Sequence, residues 1–444
     1  MKSLWTHTAE LPHFQKLERD LKTDVLIIGG GITGILCALL LREKHIDCAL
    51  AEADTICSGV TRNTTAKITI QHGLIYDQLI RKSGAEYAAR YLAANRTALG
   101  KFRALCAGID CEFEEKDAYV YTMDDPEKIE REVRAYQALR YPAEYVQDVH
   151  LPVAAKCAVR VPGQAQFHPL KFIAAIAGEL PIYEHTPVLE MLSPHRARTP
   201  SGTITAQKVI AATHFPFINK HGFYFVKMYQ ARSYVLALEN AESVDGMYID
   251  GSGNGLSFRS AGGLLLLGGG GHRTGKKGGG WNALRREAQA LYPQAAEAFH
   301  WAAQDCMTLD GVPYIGQYSP RTPDFYVATG FNKWGMTSAM AAAMILSDLV
   351  AGAENPYAGV FAPSRSIFHP QLAVNLFETA ANFLTPSAPR CPHLGCALKW
   401  NAQEHSWDCP CHGSRFDEGG KLLDNPATGD LKKHDPPDVR PEDR

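Results

Sequence analysis

The sequence predicts an α/β chain built around a Rossmann-like nucleotide-binding domain, with an antiparallel sheet inserted into it and a cysteine- and histidine-rich module at the C-terminal end. Three stretches predict this. Residues 23–52, TDVLIIGGGITGILCALLLREKHIDCALAE, read as strand, glycine turn, helix, strand and closing acid. Residues 223–270 hold short apolar runs separated by turn residues, the signature of an antiparallel sheet. Residues 391–417 crowd four cysteines among histidines.

Each part of the first stretch has a physical task. Gly29 lets the strand turn sharply. Gly31 carries no Cβ, so a pyrophosphate can approach its backbone, and Gly34 lets helix and strand pack closely. The helix N-terminus offers unpaired N–H groups and a partial positive charge to the phosphates. Glu52 lies 18 residues past Gly34, a spacing that suits hydrogen bonds to ribose hydroxyls. The polar loop that follows, Ser58 to Lys67, includes Arg62, Thr64 and Thr65 and is dense in donors. It is a candidate cradle for the rest of the dinucleotide, unless it is a plain surface loop.

A chain of 444 residues is too long for one core and predicts two or three domains. With 21% charged residues, 45% apolar residues and a net charge of -2, nothing calls for nucleic acid or a membrane surface as partner. No stretch reaches the roughly 20 apolar residues that span a bilayer. The first 22 residues lack the apolar core of a secretory signal, so the cytoplasm is the expected location. Of eleven cysteines, seven are scattered (37, 48, 57, 106, 111, 157 and 306) and read as small buried hydrophobes.

Along the chain, helices are expected over 84–107, 126–139 and 169–178, and a strand over 119–121. Residues 204–213, ITAQKVIAAT, read as a strand returning to the nucleotide domain. Gly278-Gly279-Gly280 imitates a second glycine turn but follows two lysines instead of an apolar strand, so it is read as a loop before a helix over 282–291. Phe325 to Thr329 is a strand, Gly330-Phe331-Asn332-Lys333-Trp334-Gly335 a turn, and Met336 to Val350 a small-residue helix. Residues 364–384 read as a connecting helix, and Thr385 to Pro389 as a linker.

The order of these pieces resembles the D-amino-acid oxidase, glycine oxidase and sarcosine oxidase superfamily of flavoproteins. The glycine turn, the strand ending at Thr213, Asp310-Gly311-Val312-Pro313-Tyr314-Ile315-Gly316 and the Ala328-Thr329-Gly330 turn all match its pattern. The resemblance covers roughly residues 20–355 and implies FAD. It places Gly330, Phe331, Lys333, Trp334 and Gly335 at the pyrimidine end of the flavin, where backbone donors stabilise negative charge. Glycine oxidase-like members carry an arginine before the Asp310-type motif that holds the substrate carboxylate; this sequence has Asp305, Cys306 and Met307 there. Arg259 or Arg232 from the sheet are the candidate replacements. Cys306 sits where monomeric sarcosine oxidases place their flavin-linked cysteine, which makes it a candidate for contact with, or attachment to, the flavin. His272 and Arg259 are expected to line the substrate pocket, with His272 as base near neutral pH.

In the C-terminal module, Cys391-Pro392-His393 and Cys409-Pro410-Cys411-His412 offer two thiolates and two imidazoles. These could bind zinc, or be the ligands of a Rieske [2Fe–2S] centre, with two cysteines on one iron and two histidines on the other. The fuller pattern resembles the Rieske proteins of respiratory complexes, and that resemblance implies a Cys396–Cys411 disulfide joining the two ligand loops in a small all-β domain. Its base is short here, because the linker runs almost directly into Cys391, which predicts a less protected cluster. The resulting division is 20–85, 150–217 and 306–355 for the FAD domain, and 86–149 and 218–305 for the substrate domain. Residues 356–390 form the connection and 391–444 the truncated Rieske domain.

The expected function is an FAD-dependent dehydrogenase. It oxidises a small, amine-type molecule and passes electrons to the cluster, then to a one-electron acceptor protein or a quinone-like acceptor. The alternatives are an oxygen-using oxidase with a structural Rieske remnant, and a non-enzymatic redox sensor or carrier.

Overall fold

A computed structural model describes residues 3–218, 221–252, 255–386 and 389–432. The strand Leu21–Ile28 forms the centre of the first sheet and is buried from Val25 onward. Cys48–Ala51 and Gly202–Ala211 run parallel to it on either side. Phe325–Thr329 continues the parallel row, Ile182–Tyr183 adds the far edge, and Tyr314–Gln317 closes the other edge antiparallel. A hairpin, Glu190–Ser193 with Arg196–Thr199, extends the start of Gly202–Ala211. These central strands are apolar throughout because both faces of a parallel sheet are covered. The helices Ile32–Glu43 and Gly335–Val350 pack against each other, and their buried residues join one core with the sheet.

The second sheet has nine strands. Met228–Glu239 pairs antiparallel with both Ala296–Thr308 and Leu264–Arg273. Ser257–Ala261 and Met247–Asp250 follow, and then a parallel step to Glu114–Thr122. Beyond it lie Cys157–Gln166, Lys67–Ile68 and the short Glu144–Val146. Three strands run across the expected domain divisions. Cys157–Gln166, assigned above with 150–217 to the nucleotide domain, and Lys67–Ile68, within 20–85, both hydrogen-bond into the second sheet. A cut at residue 306 would divide Ala296–Thr308. An apolar run states that it is a strand; which sheet it joins depends on long-range register.

The connecting helix is Pro370–Leu384, six residues shorter at its start than the expected 364–384. Pro370 holds the first helical position, and the extended His369 before it caps the helix by accepting from the Gln371 N–H. In the linker, Ser387 and Ala388 lie outside the described residues, as do residues 433–444 of the last module. The rest of that module is a four-stranded antiparallel sheet: Lys399–Asn401, Ser406–Asp408, Arg415–Asp417 and Leu422–Asp424. No helix among the described residues is long and apolar enough to cross a membrane.

Candidate functional site

The glycine turn has the expected geometry. Gly29 has φ +109°, and a Cβ there would lie 2.5 Å from the Ala212 carbonyl oxygen. A Cβ on Gly34 would run into the carbonyl of Gly29, so helix and strand meet backbone to backbone. Above Gly31 the space is open except for the Thr61 hydroxyl at 3.4 Å. That hydroxyl accepts from the Ile32 N–H at 3.1 Å and caps the helix start. Glu52 folds back over the turn and accepts from the N–H groups of Gly30 (2.5 Å) and Asp54 (2.9 Å). Burial raises its pKa, against these bonds. Gly30 is thus a fourth required glycine, because a Cβ there would press on the Glu52 side chain.

The loop after Glu52 is held by distant side chains. Trp5 and Trp301 donate their indole N–H groups to the carbonyls of Thr64 (2.7 Å) and Asn63 (3.0 Å). Arg259, 2% exposed, donates to the carbonyls of Thr65 and Ala66 and lies over the Trp5 ring. Lys67 reaches the Thr65 hydroxyl at 3.1 Å, while Arg62 is exposed. Burial lowers the Lys67 ammonium to about 7 and the Arg259 guanidinium to about 9.

The turn Gly330 to Gly335 is wound left-handed at Gly330, Asn332 and Lys333, with φ of +73°, +52° and +73°. The Asn332 side chain stitches it, accepting from the Thr308 N–H (2.8 Å) and donating to the Gly330 carbonyl (2.6 Å). Asparagine tolerates this backbone best after glycine. Trp334 stacks on His72, centroids 5.0 Å apart. Burial lowers His72 to about 3, so its ring is neutral. The helix that begins at Gly335 turns its N-terminus to this turn.

Strand parity decides the residues before Asp310. Cys306 is buried in the core with Met228, Tyr314 and Val327, and burial pushes its thiol well above the ordinary value. A thiol held protonated in this way is a poor nucleophile. Asp305 lies on the opposite face of the strand. Burial raises its carboxyl, opposed by charge on Lys333, His214 and Arg232. His214 brings a buried ring nitrogen without a hydrogen-bond partner. Arg232 is already committed: it pairs with Glu404 of the C-terminal module, both 4% exposed or less at the side chain. It is therefore not available as a carboxylate clamp. His272 is half-buried, stacked on Tyr234 at 5.7 Å, with burial keeping its pKa low. A Cβ on its neighbour Gly271 would lie 3.6 Å from the Lys333 ammonium, which sets this strand end beside the turn.

The two cysteine loops are twins. Gly395 donates to the Cys391 carbonyl and Gly413 to the Cys409 carbonyl, each at 2.9 Å, and both glycines have positive φ. Cys396 and Cys411 form a disulfide across them. The sulfurs of Cys396, Cys409 and Cys411 cluster within 4.8 Å, but the bonded pair cannot ligate a metal. That leaves Cys391 and Cys409 as adjacent free thiols. Cys409, then the His393 N–H and the Ser414 hydroxyl, bring Cys391 down to about 7 against burial. The rings of His393 and His412 stand perpendicular, centroids 4.9 Å apart. Both ring nitrogens of His412 are buried with no oxygen or nitrogen partner, and the ring lies against the Cys409 thiol. Such nitrogens are costly unless something ligates them. The donor set fits two irons bridged by sulfide, two thiolates on one and two imidazoles on the other.

Three of the four candidate ligands, Cys391, Cys409 and His412, are 2% exposed or less, while His393 is only partly buried. The second sheet supplies the missing base. Gln230 donates to the carbonyls of His412 (2.8 Å) and Asn425 (3.1 Å), and Gln304 donates to the Gly413 carbonyl (2.8 Å) and to Gln230. Arg273 reaches the Pro410 and Cys411 carbonyls and the Asn375 side chain. Asn425 donates to the carbonyls of Thr213 and Phe215. A buried charge cluster completes the seam: Arg415 binds Glu404, Asp408 and Asp424, and Tyr234 donates to Glu404.

Residues 24–349 match the FAD dependent oxidoreductase (DAO) family and residues 371–435 the Rieske [2Fe-2S] domain. The chain belongs to that oxidoreductase family and carries a Rieske domain; its cofactors are FAD and a [2Fe–2S] cluster. It is 35% identical to a Bacillus subtilis (strain 168) protein, YhfW, described as a Rieske 2Fe-2S iron-sulfur protein, over 98% of this chain and 97% of that one. Over 37 residues it is 54% identical to the cytochrome b6-f complex iron-sulfur subunit of Nostoc punctiforme, 8% of this chain and 21% of that subunit. The fold is similar to glycine oxidase from Geobacillus kaustophilus (TM-score 0.64, 21% identity, 78% of this chain and 99% of that one). It is similar also to L-proline dehydrogenase from P. horikoshii (0.65, 16%, 78% and 98%).

Proposed function

We propose that the chain oxidises a small amine-type substrate at the flavin and passes the electrons through the Rieske cluster to a one-electron acceptor. FAD, when bound, takes two electrons from substrate, and the cluster takes them one at a time. Gly29, Gly31 and Gly34 would seat the diphosphate, Glu52 the ribose, the loop with Arg62, Thr64 and Thr65 the middle of the cofactor, and Gly330 to Gly335 the pyrimidine end. Cys391, Cys409, His393 and His412 would ligate the irons. The observation that carries the reading is the seam itself. Gln304 holds the Gly413 carbonyl of the second cluster loop, and two residues on, Cys306 accepts from Asn332 of the flavin turn at 3.0 Å.

Asp305, close to where related enzymes carry an arginine for a carboxylate, favours a cationic amine. His272, on the strand whose Gly271 lies beside the flavin turn, is the candidate base. Arg259 acts by holding the loop at Thr65 and Ala66. The test is anaerobic addition of candidate amines while flavin absorbance and the Rieske paramagnetic signal are followed. Bleached flavin with a reduced cluster is expected. Bleached flavin beside an oxidised cluster, or peroxide as the sole product in air, would overturn the route; one zinc per chain in place of two irons would overturn the ligand assignment.

A further inference from the structure

The helix Pro370–Leu384 is inside out. Its buried positions are Asn375 and Asn382, and the half-buried Glu378 pairs with Lys276 at 2.6 Å. Its exposed positions from 373 to 384 are Ala373, Val374, Leu376, Phe377, Ala380, Ala381, Phe383 and Leu384, with no side-chain donor, acceptor or charge among them. Phe377 is 72% and Leu384 78% exposed. Of thirteen large apolar side chains exposed among the described residues, seven fall between 368 and 394. Scattered apolar residues need no explanation, but this concentration on one helix face does. The face continues onto Leu394 in the first cluster loop, and a Cβ on Gly395 would touch the Phe383 ring at 3.6 Å.

The rim is basic: Lys277 is exposed beside the helix, Lys276 next to it pairs with Glu378, Lys82 contacts His369 at the helix start, and Arg390 at the C-terminal end donates to the carbonyls of Asn382, Phe383, Gly395 and Thr385. The inward polar face is needed to satisfy Arg273 and the Val226 carbonyl through Asn375. We propose that the outward face seats in the plane of an anionic lipid bilayer, with its phenylalanines at the acyl boundary and the exposed Lys277 and Lys82 on the headgroups. A second copy of the chain fits less well: twofold docking sets the same basic rim against itself, and a protein interface of this kind calls for about one hydrogen bond per 100–200 Å². This seat is independent of which substrate the flavin oxidises, and it holds the first cluster loop at the lipid surface.

The test is co-sedimentation of the full-length holoprotein with phosphatidylcholine vesicles, with and without phosphatidylglycerol. Binding about tenfold tighter with phosphatidylglycerol is expected, lost about tenfold in the Phe377→Gln/Leu384→Gln variant and weakened by Lys277→Glu on the anionic vesicles alone. Flavin and iron content verify the fold; if the double variant loses either, Ala380→Glu on the same face takes its place. Absence of sedimentation with both vesicle types overturns the proposal. So does a dimer in vesicle-free sedimentation velocity that the face variant converts to monomer, which would assign the face to a second copy.

Discussion

The glycine turn and the cluster loops each prepare a seat for a prosthetic group, but they are wired differently. The turn itself is built from its own neighbourhood, Glu52 closing on Gly30 and Thr61 capping the helix, and only the loop after it leans on the distant Trp301 and Arg259. The cluster loops rest on side chains more than a hundred residues earlier, Gln230, Arg232, Arg273 and Gln304. A locally wired site fails when a local residue changes. A borrowed scaffold fails from a distance, and one cofactor can then be lost while the other stays.

The largest expected effect tests that asymmetry. Arg232→Ala leaves Glu404 buried with one arginine instead of two, and breaking such a pair costs about 3–5 kcal/mol. Iron content should fall while the flavin spectrum survives; equal loss of both would refute the comparison. Replacing Arg232 and Glu404 together by methionine should recover much of the stability, since a well-packed apolar pair avoids the desolvation of the charges.

Gly34→Ala probes the other region. The new methyl group meets the Gly29 carbonyl, and overpacking at such a contact costs about 1–3 kcal/mol or more. Flavin should be released at lower temperature in a thermal ramp, with the Rieske signal persisting in the flavin-free protein. Gln304→Leu should be milder and one-sided. It leaves the Gly413 carbonyl without that donor, for about 1–3 kcal/mol, and should shift the cluster's midpoint potential with flavin affinity unchanged.

The pH dependence of the intact pair is the most specific readout. Burial alone would raise Glu404, but Arg232 and Arg415 outweigh it and hold the carboxyl below its ordinary value. A depressed folded pKa gives stability that is present above the ordinary carboxylate value near 4.3 and lost as pH falls through the folded one. Cluster loss should therefore set in below roughly pH 4, and Glu404→Gln should flatten that limb.

The same contrast explains what could be read in the sequence. Strand, turn and helix over 21–43 were legible because their determinants are contiguous, and so was the Rieske domain, because the spacing of its cysteines and histidines is itself the pattern. The allocation of Cys157–Gln166 was not, because it rests on pairing with Glu114–Thr122. Cys306 stood in a flavin-type context, yet one residue of strand parity turns it into the core and Asp305 the other way. Arg232 and Glu404 lie 172 positions apart, and no local signal joins them. Gly30 could have been found: three consecutive glycines closed by an acid leave little room for a side chain at the middle one.

The seam also changes what counts as a unit of this protein. The proline-bearing linker invites a cut near residue 386, and the composition on either side encourages it. Severed there, the small module would carry Glu404 and Arg415 into water with half their partners gone, and the larger piece would present Arg232, Gln230 and Gln304 to solvent. Expressed separately, the two pieces would be damaged fragments instead of two proteins.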